Sequence, residues 1–72
     1  MNAKDFQDIP MVYLRLKREA FGMNQKEFAT IFDMSWDCYR KYEEGTRRPV
    51  EYAYRMMKLL IEYYEKEHMI NG

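Results

Sequence analysis

Trp36, Asp37 and Lys41, near the middle of a 72-residue chain, carry side chains that can meet the edges of nucleic-acid bases. A carboxylate can accept a hydrogen bond from a cytosine amino group. An indole can pack on a thymine methyl or a sugar, and an ammonium can reach a guanine edge. Asp37 and Lys41 are four apart, so on a helix they share one face. Gln25 and Lys26 could meet a phosphate, provided they open a helix whose free N–H groups and macrodipole favour an anion. Arg40, Arg47 and Arg48 are flexible cations suited to the same backbone. Each residue also has a plainer use. Asp37 is a stabilising acid at a helix start, Lys41 is its surface partner, and the arginines form a solvated rim.

Two short helical patterns have to position these groups. Asn24 with Glu27 three residues on has capping-box spacing. Phe28, Ala29, Ile31 and Phe32 then give an apolar face, predicting a helix over 25–32. Ser35 caps a third helix over 36–44, which turns Tyr39 and Tyr42 inward and ends at Gly45. Helix, tight turn, helix is the plan of a groove-reading element. Phe28, Ala29, Phe32, Met34, Tyr39 and Tyr42 are the expected core, and Cys38 a small filler beside it.

Upstream, residues 1–7 read as a frayed lead-in. Asp8-Ile9-Pro10 reads as an acidic cap followed by a first-turn proline. That first helix runs to about Phe21 and stops at Gly22, with Met11, Leu14, Arg18 and Phe21 inward. Residues 46–49 form a loop. The last and longest helix starts near Val50 and runs to about His68. It carries two apolar rows: Ala53, Met56, Met57, Leu60 and Tyr64, and beside them Tyr52, Leu59, Tyr63 and Ile70. One row suffices to cover so thin a core, so the second, with Tyr52, Leu59 and Tyr63, is the expected dimer interface; the plainer reading is a wide core face with amphipathic tyrosines at the surface. The chain is thus expected to be all-α, a bundle of four to five helices in a single domain over 1–72. Residues 8–49 make the helix-turn-helix core and 50–70 the closing and dimerisation helix.

Composition narrows the classes. A chain this short buries only about 60% of its unfolded surface. Twelve aromatics and seven methionines compensate with large side chains. The net charge is zero, but residues 15–48 hold eight Lys/Arg against six Asp/Glu, and 49–72 three against four. The basic excess therefore sits with the candidate reading segment. A lone cysteine cannot form an intrachain disulfide and suits the cytoplasm. No run has the length of a membrane span. Cys38 and His68 have no partners for nucleophilic catalysis or a zinc site, so neither an enzyme nor a cofactor, metal or small-molecule ligand is expected.

The combined motifs resemble the phage repressor and Cro type of helix-turn-helix, also called the xenobiotic-response-element type. The resemblance covers about residues 11–60. It rests on Leu14-Arg15-Leu16-Lys17-Arg18-Glu19-Ala20-Phe21-Gly22-Met23-Asn24-Gln25, on Phe28-Ala29 and Met34-Ser35, and on Tyr42-Glu43-Glu44-Gly45 with Arg47-Arg48-Pro49. It implies a lambda-repressor-like bundle that binds double-stranded DNA as a dimer on a palindromic operator. It implies a phosphate contact for Gln25, a buried pair of Arg18 with Glu43, and base reading by Trp36, Asp37 and Lys41. The chain departs from the pattern at Asp33, where the turn usually has Gly, and at Lys17, usually apolar. Trp36 and Asp37 are also unusual at reading positions. The long closing helix and Arg-Arg-Pro loop are similar to small phage or mobile-element autoregulators, such as those encoded beside anti-CRISPR genes. The expected function is sequence-specific transcriptional regulation, chiefly repression. The alternative is a protein-interaction module, antitoxin-like or anti-defence, that reuses the scaffold.

Overall fold

The computed structural model describes residues 7–68, which form four helices and no strand. The lead-in before Gln7 and the outer-row residue Ile70 lie outside the described residues. Helix α1 spans Pro10–Ala20, α2 Gln25–Ile31, α3 Trp36–Glu44 and α4 Glu51–His68.

The ends follow local chemistry. Pro10 opens α1, but its N-cap is Ile9, which offers no side-chain oxygen. Asp8 is therefore not the expected acidic cap. At α2 the capping box is complete. Asn24 Oδ1 accepts from the Glu27 N–H at 2.8 Å, and Glu27 Oε1 accepts from the Asn24 N–H at 2.9 Å. The Ser35 hydroxyl accepts from the Cys38 N–H to start α3. Between α2 and α3 the chain reverses through Asp33, whose φ of 53° places it in the left-handed region. Aspartate tolerates that conformation better than most residues, so it can replace the usual glycine there.

Helix α3 ends in a Schellman arrangement: the Thr46 N–H donates to the Lys41 carbonyl and the Gly45 N–H to that of Tyr42. Gly45 has φ 84°, and a Cβ there would sit 2.7 Å from Met11 Sδ. Met11 was expected in the core. Instead it is 39% exposed and lies across the bare glycine that closes α3.

Aromatic rings fill the centre. Phe28 packs edge-on against Phe21, Phe32 and Tyr39 at 5.2–5.6 Å between ring centres. Phe21 stacks on Tyr64 at 4.9 Å, and Tyr13 meets Tyr54 edge-on at 6.1 Å. Such contacts add about 0.5–1.5 kcal/mol each beyond area burial. The inward face of α1 is Pro10, Tyr13, Leu14 and Lys17. Lys17 can be buried because its Nζ lies 2.8 Å from Glu65 of α4. Burial first, and then Glu65 and Glu62, push the Tyr13 phenol up to about 12.

Helix α4 sits with a different face inward than its apolar pattern suggests. Tyr54, Met57 and Ile61 are buried, while Met56 and Leu60 are 41% and 36% exposed. Apolar residues cover so much of this helix that spacing alone leaves its rotation undetermined. The Tyr13–Tyr54 and Phe21–Tyr64 contacts set it. Tyr52, Leu59 and Tyr63 face outward.

A buried ion pair joins α1 to α3. Arg18 Nη2 lies 2.7 Å from Glu43 Oε1, and Nε lies 2.9 Å from Oε2. The remaining Arg18 nitrogen donates to the Met23 carbonyl at 3.1 Å. Glu43 is only 2% exposed. Burial pushes its carboxyl up, but Arg18, Tyr39 and Gln25 outweigh that and hold it below the usual carboxylate range. The Tyr39 hydroxyl points at Glu43 from full burial without closing a hydrogen bond of its own.

Removing one partner of a buried pair costs about 3–5 kcal/mol, because the other charge is stranded. Glu43→Ala should therefore unfold much of this domain, and a wild-type melting curve would reject the buried pair. A group whose folded pKa is lowered lends stability above its unfolded value, here 4.5, and loses it as pH falls through the folded value. Glu43→Gln should thus melt well below the native chain at neutral pH, with the gap closing in acid.

Candidate nucleic-acid interface

Helix α3 buries Tyr39, Tyr42 and Glu43 and presents Trp36, Asp37, Arg40, Lys41 and Glu44 to the other side. The Arg18–Glu43 pair fixes which side is which. All three residues expected to read bases, Trp36, Asp37 and Lys41, fall on the outward side.

Trp36 forms the joint between α2 and α3. It is 43% exposed, yet its ring is held on several sides. Its Nε1 donates to Gln25 Oε1 at 3.2 Å. Lys26 Nζ lies 5.1 Å from the ring centre and the Arg40 guanidinium 5.5 Å. Two cations over one indole make cation–π contacts, worth about 0.5–1 kcal/mol each at exposed sites. Gln25, expected as a phosphate ligand, spends its side-chain oxygen on the indole. Its place at the first turn of α2 still leaves free N–H groups beside it.

Asp37 is engaged rather than free. Arg40 donates to one carboxylate oxygen, and Lys41 Nζ lies 3.3 Å from the other. Arg40 also reaches Glu44, with Nη1 3.1 Å from Oε1. The Arg40 hydrogen bond first, then Lys41, holds the Asp37 carboxyl below its usual value. Hydrogen bonds to Asp37 and Glu44 raise the Arg40 guanidinium in turn. Two acids and two bases therefore cancel on the α3 face, and Lys26 supplies its surplus charge. The pairing of Arg40 with Glu44 escaped the reading of the sequence, although the four-residue spacing is a readable signal.

The loop arginines diverge. Arg47 is exposed beside Ile9, Met11 and Gly45. Arg48 turns to the Asp8 carbonyl, 3.4 Å away, in an open groove with Glu51, Tyr54, Arg55 and Lys58. It shares that groove with the start of α4 rather than with Trp36. Arg15, given no role in the reading of the sequence, lies 3.7 Å from Glu43 with its side chain about half exposed. Among the described residues no three His, Cys, Asp or Glu side chains group to hold a metal. No helix there is long and apolar enough to cross a membrane.

Trp36 is the sole tryptophan, so its emission reports on this joint. Iodide should quench it more strongly than caesium, because Lys26 draws anions to the ring. Lys26→Ala should reduce that preference. An unchanged iodide-to-caesium ratio would remove Lys26 from the indole face.

Compared with known proteins, the chain matches no protein-family model, no curated protein and no solved structure.

Proposed function

We propose that the chain is a sequence-specific DNA-binding regulator that acts as a homodimer on a palindromic operator. The observation that carries this reading is the pairing of two capped helices through a left-handed turn, with the outward face of the second bearing Trp36, Asp37 and Lys41. On this reading α3 enters the major groove and α2 crosses the backbone, with Lys26 and the first-turn N–H groups near a phosphate. Arg40 and Lys41 exchange their acidic partners for DNA where the sequence suits Asp37. A domain 30 Å in its longest dimension, taken twice, suits half-sites about 34 Å apart. Repression follows where the operator overlaps a promoter. The cytoplasm is the compartment that suits such a regulator and its single thiol.

A second reading is favoured by the charge cancellation on α3. An exposed indole inside a neutral hydrogen-bonded rim is also what a protein-binding hot spot looks like. An interaction module built on Trp36 would bind its partner with little salt dependence.

Anisotropy titrations against duplex DNA separate the two. DNA affinity should fall with salt at a log–log slope of about −0.9 per phosphate neutralised. Lys26→Ala or Arg47→Ala should make that slope shallower on every sequence. Asp37→Ala should release Arg40 and Lys41, tightening binding to random DNA, and should lose preference at one base pair by about 1–3 kcal/mol. Uniform tightening with no loss of preference would mean that the acid only repels phosphate. A salt-insensitive complex, or none, would favour the interaction module.

A further inference from the structure

Large apolar side chains left in water concentrate on one helix. Of the nine among the described residues, six lie on α4 or directly before it: Val50, Tyr52, Met56, Leu59, Leu60 and Tyr63. Tyr52, Met56, Leu59 and Tyr63 are spaced four, three and four residues apart, the a/d spacing of a two-helix seam. The opposite side of α4, with Tyr54, Met57 and Ile61, is fixed in the chain's own core, so the seam cannot turn inward. Charges flank the seam unevenly. Arg55 and Glu62, one heptad apart, border one side, and Leu60 and Glu67 border the other.

We infer that this seam pairs with the same seam of a second copy in antiparallel direction, with Arg55 of each copy against Glu62 of the other. The two-fold axis passes between Met56 and Leu59, so Tyr52 of one copy meets Tyr63 of the other and Met56 meets Leu59. The flanking charges select this direction. In an antiparallel pair the Arg55/Glu62 flank faces its own equivalent, which brings opposite charges together twice. A parallel pair would set Glu62 against Glu67 of the other copy and Arg55 against Leu60. It would also stack Lys66 on Lys66 in the seam. Antiparallel pairing instead carries Lys66 past the end of the other copy's helix, into water. The contact is short, one 18-residue helix per copy, and belongs to the smaller, reversible class of interface. The inference takes the two-copy state from the proposed regulator and gives it a surface and a direction, yet its test uses no DNA.

Sedimentation of the full chain at micromolar concentration should show dimer. Glu62→Arg or Arg55→Glu alone should weaken the dimer by about tenfold, since two symmetry-related exposed pairs turn repulsive. The double variant Arg55→Glu/Glu62→Arg should restore it. A clean monomer of the unmodified chain overturns the inference. So does tightening by Glu62→Arg, which the parallel arrangement requires because the introduced guanidinium would face Glu67 of the other copy. Cross-linking gives a second measurement that does not depend on charge. In a Cys38→Ser background, Tyr52→Cys and Tyr63→Cys chains should form disulfides when mixed and not alone. Disulfides in either chain alone would contradict the antiparallel direction. A dimer that ignores DNA leaves this inference standing and removes the regulator. A monomer with steep salt-dependent DNA binding overturns this inference and the two-copy state, and leaves DNA binding itself standing.

Discussion

The contact between Arg18 and Glu43 is the constraint on which the rest of the molecule depends. The core is thin, and its rings can slide over one another at modest cost. A planar guanidinium matched to a buried carboxylate by two hydrogen bonds cannot slide. It fixes the rotation of α3 against α1, and with it the residues of α3 that face water. The Met23 carbonyl, which accepts from Arg18, ties the same pair to the turn before α2, so one polar knot touches three parts of the chain. The helix that carries the candidate site is held from behind by charge and from the side by the Trp36–Gln25 bond.

On the proposed reading, that arrangement lets a chain of zero net charge turn a face toward an anionic partner. Asp37 and Glu44 hold Arg40 and Lys41 in defined positions while no partner is present. Exposed pairs of this kind contribute little to stability. Their exchange for phosphate or base contacts is therefore inexpensive. If the proposed reading holds, an acid inside that surface repels indiscriminate binding, and a regulator gains more from discrimination than from affinity.

Much of this was readable from residues alone, because the signals were local. Asn24 with Glu27, Ser35 and Gly45 marked the ends of α2 and α3 to within a residue. Asp33 stood out through the resemblance, at the place where the turn usually has Gly. What escaped depended on partners distant in sequence. Lys17 breaks the apolar pattern of α1 because Glu65, 48 residues later, receives it. The rotation of α4 was misjudged for a related reason. Met56 and Leu60 are as apolar as Tyr54 and Ile61, and only the rings of Tyr13 and Phe21 decide between them. Within the site, the order of residue types gave the outward face correctly. It could not say that Gln25 would be spent on Trp36, or that Arg48 would turn to Asp8.

If the outward face of α3 reads DNA, two copies at a time, the full chain should select its own operator. Selection of duplexes from a random-sequence library tests this most directly. The expected result is enrichment of an inverted repeat whose half-site centres lie about one helical turn apart. A pool that stays random after repeated rounds, or that enriches only single unpaired sites, would contradict it.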